Sequence, residues 1–506
     1  MNRRITLANL GIILCLGLAI GLLGWVLFPR IPVWSDSLSY FTAARNLLMG
    51  KGLVTSLCAC TQSYFMGIPH PDLHLPGWPL LIAGFMWLTK TGLYAPVLLN
   101  ILLTVLAAIL VYHTVRFWST PARALSASLV FLVFPTTLMY EFSGLSEMAI
   151  IFWVILSLFL SSVPGAGRSI PCLIGSWASL VIAYATRESS LLFLPLVLVF
   201  LRQRGSSKIA LAVFGVSAVL ACFGISYTYY SLWPGFAEAR AIAAKTSLLS
   251  HTGMIRRSHF TAIATWQDLP DVSPARLAWD VLARKPLRLI VNLARNGNWY
   301  MNLLNAITAL PIILAPFVAN NKKQKLGLFL CALIIPALFT IYSPTGDNFI
   351  RVAFPFAIAG VMLMAIWARG WFSGWWTAAG ALLLGVILAI PGIIDYQKGR
   401  RNLANNIGEA EAILKKGVSP DITVIGARSS VLYLHVLYHP DGVVIVYPDN
   451  LEDARLLNET LGTEALLFAS YEFEKSKPYP EIESLGWREN VFPIDGDTLF
   501  IYTRPR

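Results

Sequence analysis

The stretch IPHPDLHLPGWPLL, residues 68 to 81, places His70, Asp72 and His74 among four prolines and directly before an apolar run. Residues that precede proline are biased towards extended backbone, and alternate residues of an extended chain project to one side. The three side chains can therefore face one ligand. Two histidines and one carboxylate suit a metal ion, His74 by itself suits a phosphate anion, and a solvated loop without a ligand is the third interpretation.

Three other charged residues lie where apolar segments begin or end, namely Asp36, Glu147 and Arg351. Asp36 opens a helical pattern, where the helix dipole stabilises an ionised carboxylate, so it either caps a helix or takes part in chemistry. The planar guanidinium of Arg351 can bind two phosphate oxygens, or it can simply reach from a span to the interface. Arg187 and Glu188 are adjacent and are expected to pair with each other.

These residues belong to a chain of 506 residues that is 56% apolar and only 13% charged. A soluble domain carries about twice that share of charge, so the composition indicates a polytopic membrane protein. Apolar segments long enough to cross about 30 Å of hydrocarbon recur along most of the sequence. We predict about eleven transmembrane helices, near residues 5–28, 93–115, 122–140, 144–162, 170–186, 188–202, 208–231, 299–319, 326–342, 350–369 and 374–394.

The positions of the charges predict the orientation of these spans. With the N-terminus inside, the predicted cytoplasmic segments contain Lys and Arg but no Asp or Glu, as the positive-inside rule requires. We therefore expect a multi-pass inner-membrane protein with a cytoplasmic N-terminus and its acid chemistry on the outer face. The excess of 39 basic over 27 acidic residues follows from topology and anionic lipid rather than from nucleic acid. The acidic residues before position 395 all fall at or beyond the outer boundary: Asp36, Asp72, Glu141, Glu147, Glu188, Glu238, Asp268, Asp271, Asp280 and Asp347.

Two long external loops, residues 29–92 and 232–298, interrupt the predicted membrane domain. In the first loop, SDSLSYFTAARNLLMGKG predicts a short amphipathic helix that starts near Ser35 and closes at Gly50. The segment GWPLLIAGFMWLTK is apolar but short, which predicts a second helix at the interface. The second loop mixes prolines with short amphipathic pieces and can cover the membrane face as a lid.

The composition changes after the last span, so we divide the chain into a transmembrane domain (1–394) and an external domain (395–506). Strand and helix patterns alternate in the second part, which predicts a small α/β domain with a largely parallel sheet. No GxGxxG fingerprint is present, so its expected role is to cap or steady the membrane domain. The strand patterns are DITVIGARSS, GVVIVYPDN, EALLFASYEF and DTLFIYTRPR, and the helical patterns are SVLYLHVLYH and LEDARLLNETLG.

Four motifs in order give the transmembrane part a family resemblance. DSLSYFTAARNLLMGKG, HLPGWPLLIAG, SGLSEMAIIFW and NFIRVAFPF resemble elements of the lipid-linked-sugar glycosyltransferases of the GT-C superfamily. Within that superfamily the likeness is to the bacterial branch that includes the aminoarabinose transferase of lipid A and relatives of the protein mannosyltransferases. The last motif departs from the family pattern, because Val352 replaces a tyrosine.

The resemblance implies an inverting enzyme that takes a sugar from an undecaprenyl-type polyprenyl phosphate and gives it to a glycan, lipid or protein acceptor. Such a reaction needs a base for the acceptor and cations for the departing phosphate, and hardly a general acid. Asp36 is then the expected catalytic base. Glu147, Arg351, His74 and Tyr40 are expected to bind substrate, His74 because relatives carry a lysine before the prolines.

A divalent metal ion is a candidate cofactor, with Glu147, His70 and Asp72 as its candidate ligands, and no other cofactor is expected. The expected partners are the donor, the acceptor and membrane lipids. A transporter or flippase of lipid-linked glycans is the alternative function, but it calls for charges near mid-membrane on several helices. A sensor is a third class, and the sequence offers no cytoplasmic output domain for it.

Overall fold

The structure is a computed structural model of the 506-residue chain, which folds into two compact units. Unit 1 comprises Met1–Arg30, Pro96–Tyr227 and Pro274–Asp395, and unit 2 comprises Ile31–Ala95, Thr228–Ser273 and Tyr396–Arg506. The residues that the structure describes are 3–27, 35–55, 57–59, 71–72, 74–242, 245, 273, 308, 311, 346–367, 387, 423–426, 443–446, 465–469, 488–494 and 497–503.

Apolar helices dominate the described part of the chain. Six predicted spans correspond to helices with closely similar bounds, and a seventh, near 188–202, begins with a 3₁₀ turn, Glu188–Phe193. The predicted spans near 299–319, 326–342 and 374–394 lie outside the described residues, so the count of eleven stays a prediction. The helices are α1 (Arg3–Leu27), α2 (Ser35–Leu48), α3 (Gly77–Thr89), α4 (Ala95–Arg116), α5 (Pro121–Val133), α6 (Pro135–Glu141), α7 (Glu147–Ser162), α8 (Ile170–Thr186), α9 (Leu194–Gln203), α10 (Lys208–Ser231) and α11 (Gly346–Trp367).

Three segments of the described residues are long and apolar enough to cross a membrane: Ile5–Leu27, Gly92–Arg116 and Lys208–Ser231. Helices α5 and α6 would make a fourth if they were counted together as one span, but they are bent by 55° at their junction. We predicted one uninterrupted span here. The break falls at Phe134, which has an extended backbone (φ −59°, ψ 128°), because the ring of Pro135 disfavours a helical conformation in the residue before it.

A glycine face on α1 lets this helix approach the rest of unit 1 closely. A Cβ atom at Gly21 would lie 2.7 Å from Cγ2 of Ile101, and one at Gly24 would overlap the ring of Phe142. Small residues at such positions bring the backbones of apolar helices together, so that packing rather than the hydrophobic effect holds them in lipid.

This packing predicts that Gly24→Ala destabilises the protein by about 1 to 3 kcal/mol, since Phe142 is 4% exposed and its ring has little room to move. Gly11→Ala is the matched control in the same helix, because a Cβ atom there would meet nothing within 4 Å and alanine favours helix over glycine by about 1 kcal/mol. In thermal unfolding in detergent, Gly24→Ala should have a lower midpoint than the wild type, and Gly11→Ala should not. Equal midpoints for the two variants would contradict the packing.

Unit 2 contains a six-stranded sheet of order β1-β3-β2-β4-β6-β5. The first three neighbouring pairs are parallel and the last two antiparallel. Four strands lie in the four predicted strand segments, whereas β1 and β5 were not predicted, and the two predicted helices lie outside the described residues. The strands are β1 (Leu57–Ala59), β2 (Thr423–Gly426), β3 (Val443–Val446), β4 (Ala465–Ala469), β5 (Arg488–Ile494) and β6 (Asp497–Thr503).

The two helices predicted in the first external loop are confirmed, and α2 packs against α3. Helix α2 buries an apolar face that includes Leu38, Phe41 and Ala44. The turn after it uses Gly50 and Gly52, both with positive φ (77° and 87°), a conformation that glycine adopts without strain. Helix α2 is thereby fixed as a platform for the side chains of one candidate site.

Candidate functional site

A buried cluster of one carboxylate and two guanidinium groups lies in unit 1. Oε1 of Glu147 accepts a hydrogen bond from Nη1 of Arg187 at 2.7 Å and another from Nε of Arg351 at 2.5 Å. The side chain of Glu147 is 0% exposed, and those of Arg187 and Arg351 are 17% and 11% exposed. The three side chains together carry one net positive charge.

The hairpin of α7 and α8 brings Arg187 to Glu147. The hydroxyls of Ser157 and Ser176 lie 3.0 Å apart, and Oγ of Ser157 also donates to the carbonyl of Ser176 at 2.8 Å. Ser157 is ten residues after Glu147, and Ser176 is ten residues before Thr186. The antiparallel register therefore sets the first residue of α7 beside the last residues of α8. We expected Arg187 to pair with Glu188, and did not foresee its bond to Glu147.

Aromatic packing of α11 brings Arg351 to the same carboxylate. One turn after Arg351, the ring of Phe354 stacks on Phe134 at 6.2 Å and lies 5.7 Å from the ring of Tyr140. Phe356 stacks on Phe193 with ring centroids 4.3 Å apart. These contacts fix the rotation of α11 against the helices that flank Glu147.

The turn between α6 and α7 is held by hydrogen bonds that place Glu147 at the start of its helix. Nδ2 of Asn100 donates to the carbonyls of Tyr140 and Leu145 at 3.2 and 3.0 Å. Gly144 has a φ of 70°, which allows the chain to reverse within the turn. A carboxylate in the first turn of a helix also gains from the helix dipole.

A second polar cluster lies in unit 2 and joins Asp72 to His74. Nδ1 of His74 lies 2.6 Å from Oδ1 of Asp72, and the backbone N–H of His74 donates to the same oxygen at 2.8 Å. The hydroxyl of Ser39 on α2 donates to Oδ2. The side chain of Asp72 is 10% exposed, whereas that of His74 is 40% exposed, so the carboxylate is enclosed and the imidazole reaches the surface.

Hydroxyl groups continue this network behind Asp72. The hydroxyls of Ser39 and Thr55 lie 3.1 Å apart, and those of Thr42 and Thr55 lie 2.9 Å apart. The phenol of Tyr229 donates to the backbone carbonyl of Asp72 at 3.1 Å. The position of Asp72 is therefore fixed on both its side chain and its backbone.

Electrostatics in this cluster favour an ionised Asp72. Burial alone would raise the pKa of Asp72, but the charge of His74 and the hydrogen bonds from His74 and Ser39 outweigh burial and lower the pKa below its ordinary value. A carboxyl group whose folded pKa is lowered stabilises the fold at pH values above its unfolded pKa, and this contribution is lost as the pH falls through the folded pKa.

Helix α2 carries two more of the predicted site residues. Asp36 lies in its first turn and is partly exposed, where the helix dipole favours an ionised carboxylate. Tyr40 follows one turn later, is 2% exposed, and meets the ring of His74 edge-on with centroids 5.5 Å apart. Residues four apart lie on one face of a helix, so Asp36, Tyr40 and His74 share one region of unit 2.

The structure thus brings the predicted residues together in two groups, Asp36, Tyr40, Asp72 and His74 in unit 2, and Glu147 and Arg351 in unit 1. Sequence reasoning missed Ser39 and the bond of Arg187 to Glu147. The short connection between the spans near 144–162 and 170–186 was a usable signal for the second, because a tight hairpin places its outer ends together.

The described residues do not supply a set of ligands for the candidate metal site. No three His, Cys, Asp or Glu side chains in them come together to hold a metal ion. His70 lies outside those residues, the oxygens of Asp72 accept hydrogen bonds from the chain, and two guanidinium groups on Glu147 disfavour a cation there. We therefore derive no chemical step through a metal ion.

No protein-family model matches the chain, and no curated protein matches it in sequence. Solved structures do match. The chain is similar to the oligosaccharyltransferase of Archaeoglobus fulgidus in its apo form, with a TM-score of 0.52 and 12% identity over 91% of this chain and 69% of that chain. The similarity to ArnT from Cupriavidus metallidurans bound to undecaprenyl phosphate has a TM-score of 0.46 and 13% identity over 96% of this chain and 97% of that chain. The first of these similarities shows the fold alone.

Proposed function

We propose that this membrane protein, whose fold is that of the GT-C glycosyltransferases, transfers a sugar from a polyprenyl phosphate of the undecaprenyl type to an acceptor hydroxyl. The acceptor belongs to a glycan, a lipid or a protein. The reaction takes place on the outer face of a bacterial inner membrane, with the N-terminus in the cytoplasm. The distribution of acidic residues supports this side of the membrane.

The observation that carries the proposal is the buried Arg187–Glu147–Arg351 cluster. Two guanidinium groups converge on the buried carboxylate of Glu147, and guanidinium groups form paired, charge-assisted hydrogen bonds to phosphate oxygens. A lipid phosphate is a ligand of this kind, and its polyprenyl chain suits the surrounding membrane. Guanidinium groups also suit phosphate geometry better than ammonium groups do.

The reaction follows from these charges. The oxygen of the acceptor hydroxyl attacks the anomeric carbon, the bond from that carbon to the phosphate oxygen breaks, and the electron pair stays on the phosphate. The carboxylate of Asp36 takes the hydroxyl proton as general base. Attack opposite the leaving group inverts the anomeric centre. A cationic side chain stabilises the charge that develops on the phosphate, and Arg351 is the candidate for it.

The test is release of undecaprenyl phosphate by the purified full-length protein from a panel of undecaprenyl-phosphate-linked sugars, in the presence of membrane glycan and lipid acceptors. We expect release that depends on both donor and acceptor. A flippase breaks no bond, so movement of labelled donor across vesicles without any release of undecaprenyl phosphate would overturn the proposal in favour of transport.

A further inference from the structure

We propose that Asp72 is a positioning residue: it holds His74 by its Nδ1 atom so that Nε2 of the imidazole binds the phosphate of the polyprenyl lipid. This inference rests on the proposed function, because it assigns a task within the donor site. It also gives Asp72 a role different from the metal ligand that the sequence suggested.

The bonds around Asp72 are those of a carboxylate that orients a neighbour. Three donors of the chain occupy its two oxygens, two of them from His74 and one from Ser39. The side chain is 10% exposed, and the Ser39–Thr55–Thr42 hydroxyls extend the network behind it. A ligand has little access to such a carboxylate, so its effect on substrate must pass through His74.

The position of the His74 ring allows it to connect Asp72 with a ligand. Contact with Asp72 holds the ring at Nδ1, and a histidine held in this way acts through Nε2. Tyr40 packs edge-on against the ring, which restricts its rotation further. The imidazole is 40% exposed, so it is the member of the pair that can reach a ligand.

A purely structural role for Asp72 makes a different prediction. The bond from the backbone N–H of His74 to Oδ1 of Asp72 is a local turn that asparagine forms equally well. Asp72→Asn therefore preserves the turn and removes only the carboxylate that holds Nδ1 of His74. If the turn were the whole role of Asp72, this substitution would leave lipid binding intact.

The experiment is a double-mutant cycle on binding of undecaprenyl phosphate to the full-length protein in detergent, with undecaprenol as the lipid that lacks phosphate. We expect the wild type to prefer undecaprenyl phosphate, and His74→Gln to weaken its binding about tenfold, the loss of one charged hydrogen bond. Asp72→Asn should weaken binding by a similar factor in the wild type and have little further effect when His74 is replaced. His113→Gln and Glu238→Gln are the matched controls.

The outcomes separate the two proposals. A wild type that binds undecaprenol as tightly as undecaprenyl phosphate would overturn the proposed function. A wild type that prefers the phosphate, combined with an Asp72→Asn effect that is absent or equally large in both backgrounds, would overturn the role of Asp72 alone. Ser39→Ala gives a second route if Asp72→Asn does not fold, because it loosens Asp72 without touching His74, and its effect must also vanish in the His74→Gln background.

Discussion

Replacing Asp36 by asparagine is expected to abolish sugar transfer while the protein stays folded in the membrane. General-base catalysis contributes about 100- to 10,000-fold to a rate, and an amide cannot take the proton of the acceptor. The structural cost is small by comparison, since a carboxylate in the first turn of a helix is worth about 0.3 to 1 kcal/mol and Asp36 is partly exposed. The measurement is the rate of undecaprenyl phosphate release at saturating donor.

Asp36→Glu is the informative companion to this variant. It keeps the carboxylate but moves it by one methylene group, so we expect a rate between those of the wild type and Asp36→Asn. Unfolding midpoints and undecaprenyl phosphate binding should match the wild type for both variants. Near-normal turnover by Asp36→Asn would remove Asp36 from the mechanism. It would not bear on which residues bind the donor phosphate.

Replacing Glu147 by glutamine is expected to destabilise unit 1 by about 3 to 5 kcal/mol, because it leaves two buried guanidinium groups without their carboxylate. Arg187→Gln and Arg351→Gln should each cost less, since Glu147 then keeps one cationic partner. Thermal unfolding in detergent measures this order. Glu238→Gln is the control, because that side chain is exposed, and a Glu147→Gln midpoint equal to the control would contradict the cluster.

Substituting Arg351 separates the contribution of this cluster to stability from its contribution to catalysis. Arg351→Lys keeps the charge but loses the planar fork, so the protein should fold and turnover should fall. If the guanidinium stabilises the departing phosphate, kcat falls more than donor affinity, because the interaction strengthens as the bond breaks. An unchanged kcat with weaker donor binding would limit Arg351 to ground-state binding.

The local elements of this protein could be predicted from its sequence because local patterns specify them. The apolar run of α1, the amphipathic spacing of α2 and the glycines that end it lie within a few turns of chain, and so do the strand patterns of β2, β3, β4 and β6. Three local features were still missed, namely the break between α5 and α6 and the strands β1 and β5. Pro135 signalled the break between α5 and α6, and the three-residue strand β1 is too short to show a pattern.

Sequence by itself therefore determined a helical membrane protein, the types of its reactive side chains, and Asp36 at the start of a helix. Only the tertiary structure decided which of those side chains meet. Arg351 reaches Glu147 across 204 positions because Phe354 and Phe356 fix the rotation of α11, and Arg187 reaches it because of the register of one hairpin. Asp72 accepts a hydrogen bond from Ser39 of α2, 33 positions earlier in the chain. Such contacts depend on packing between separate segments, and the type of a residue and its spacing from its neighbours do not specify that packing.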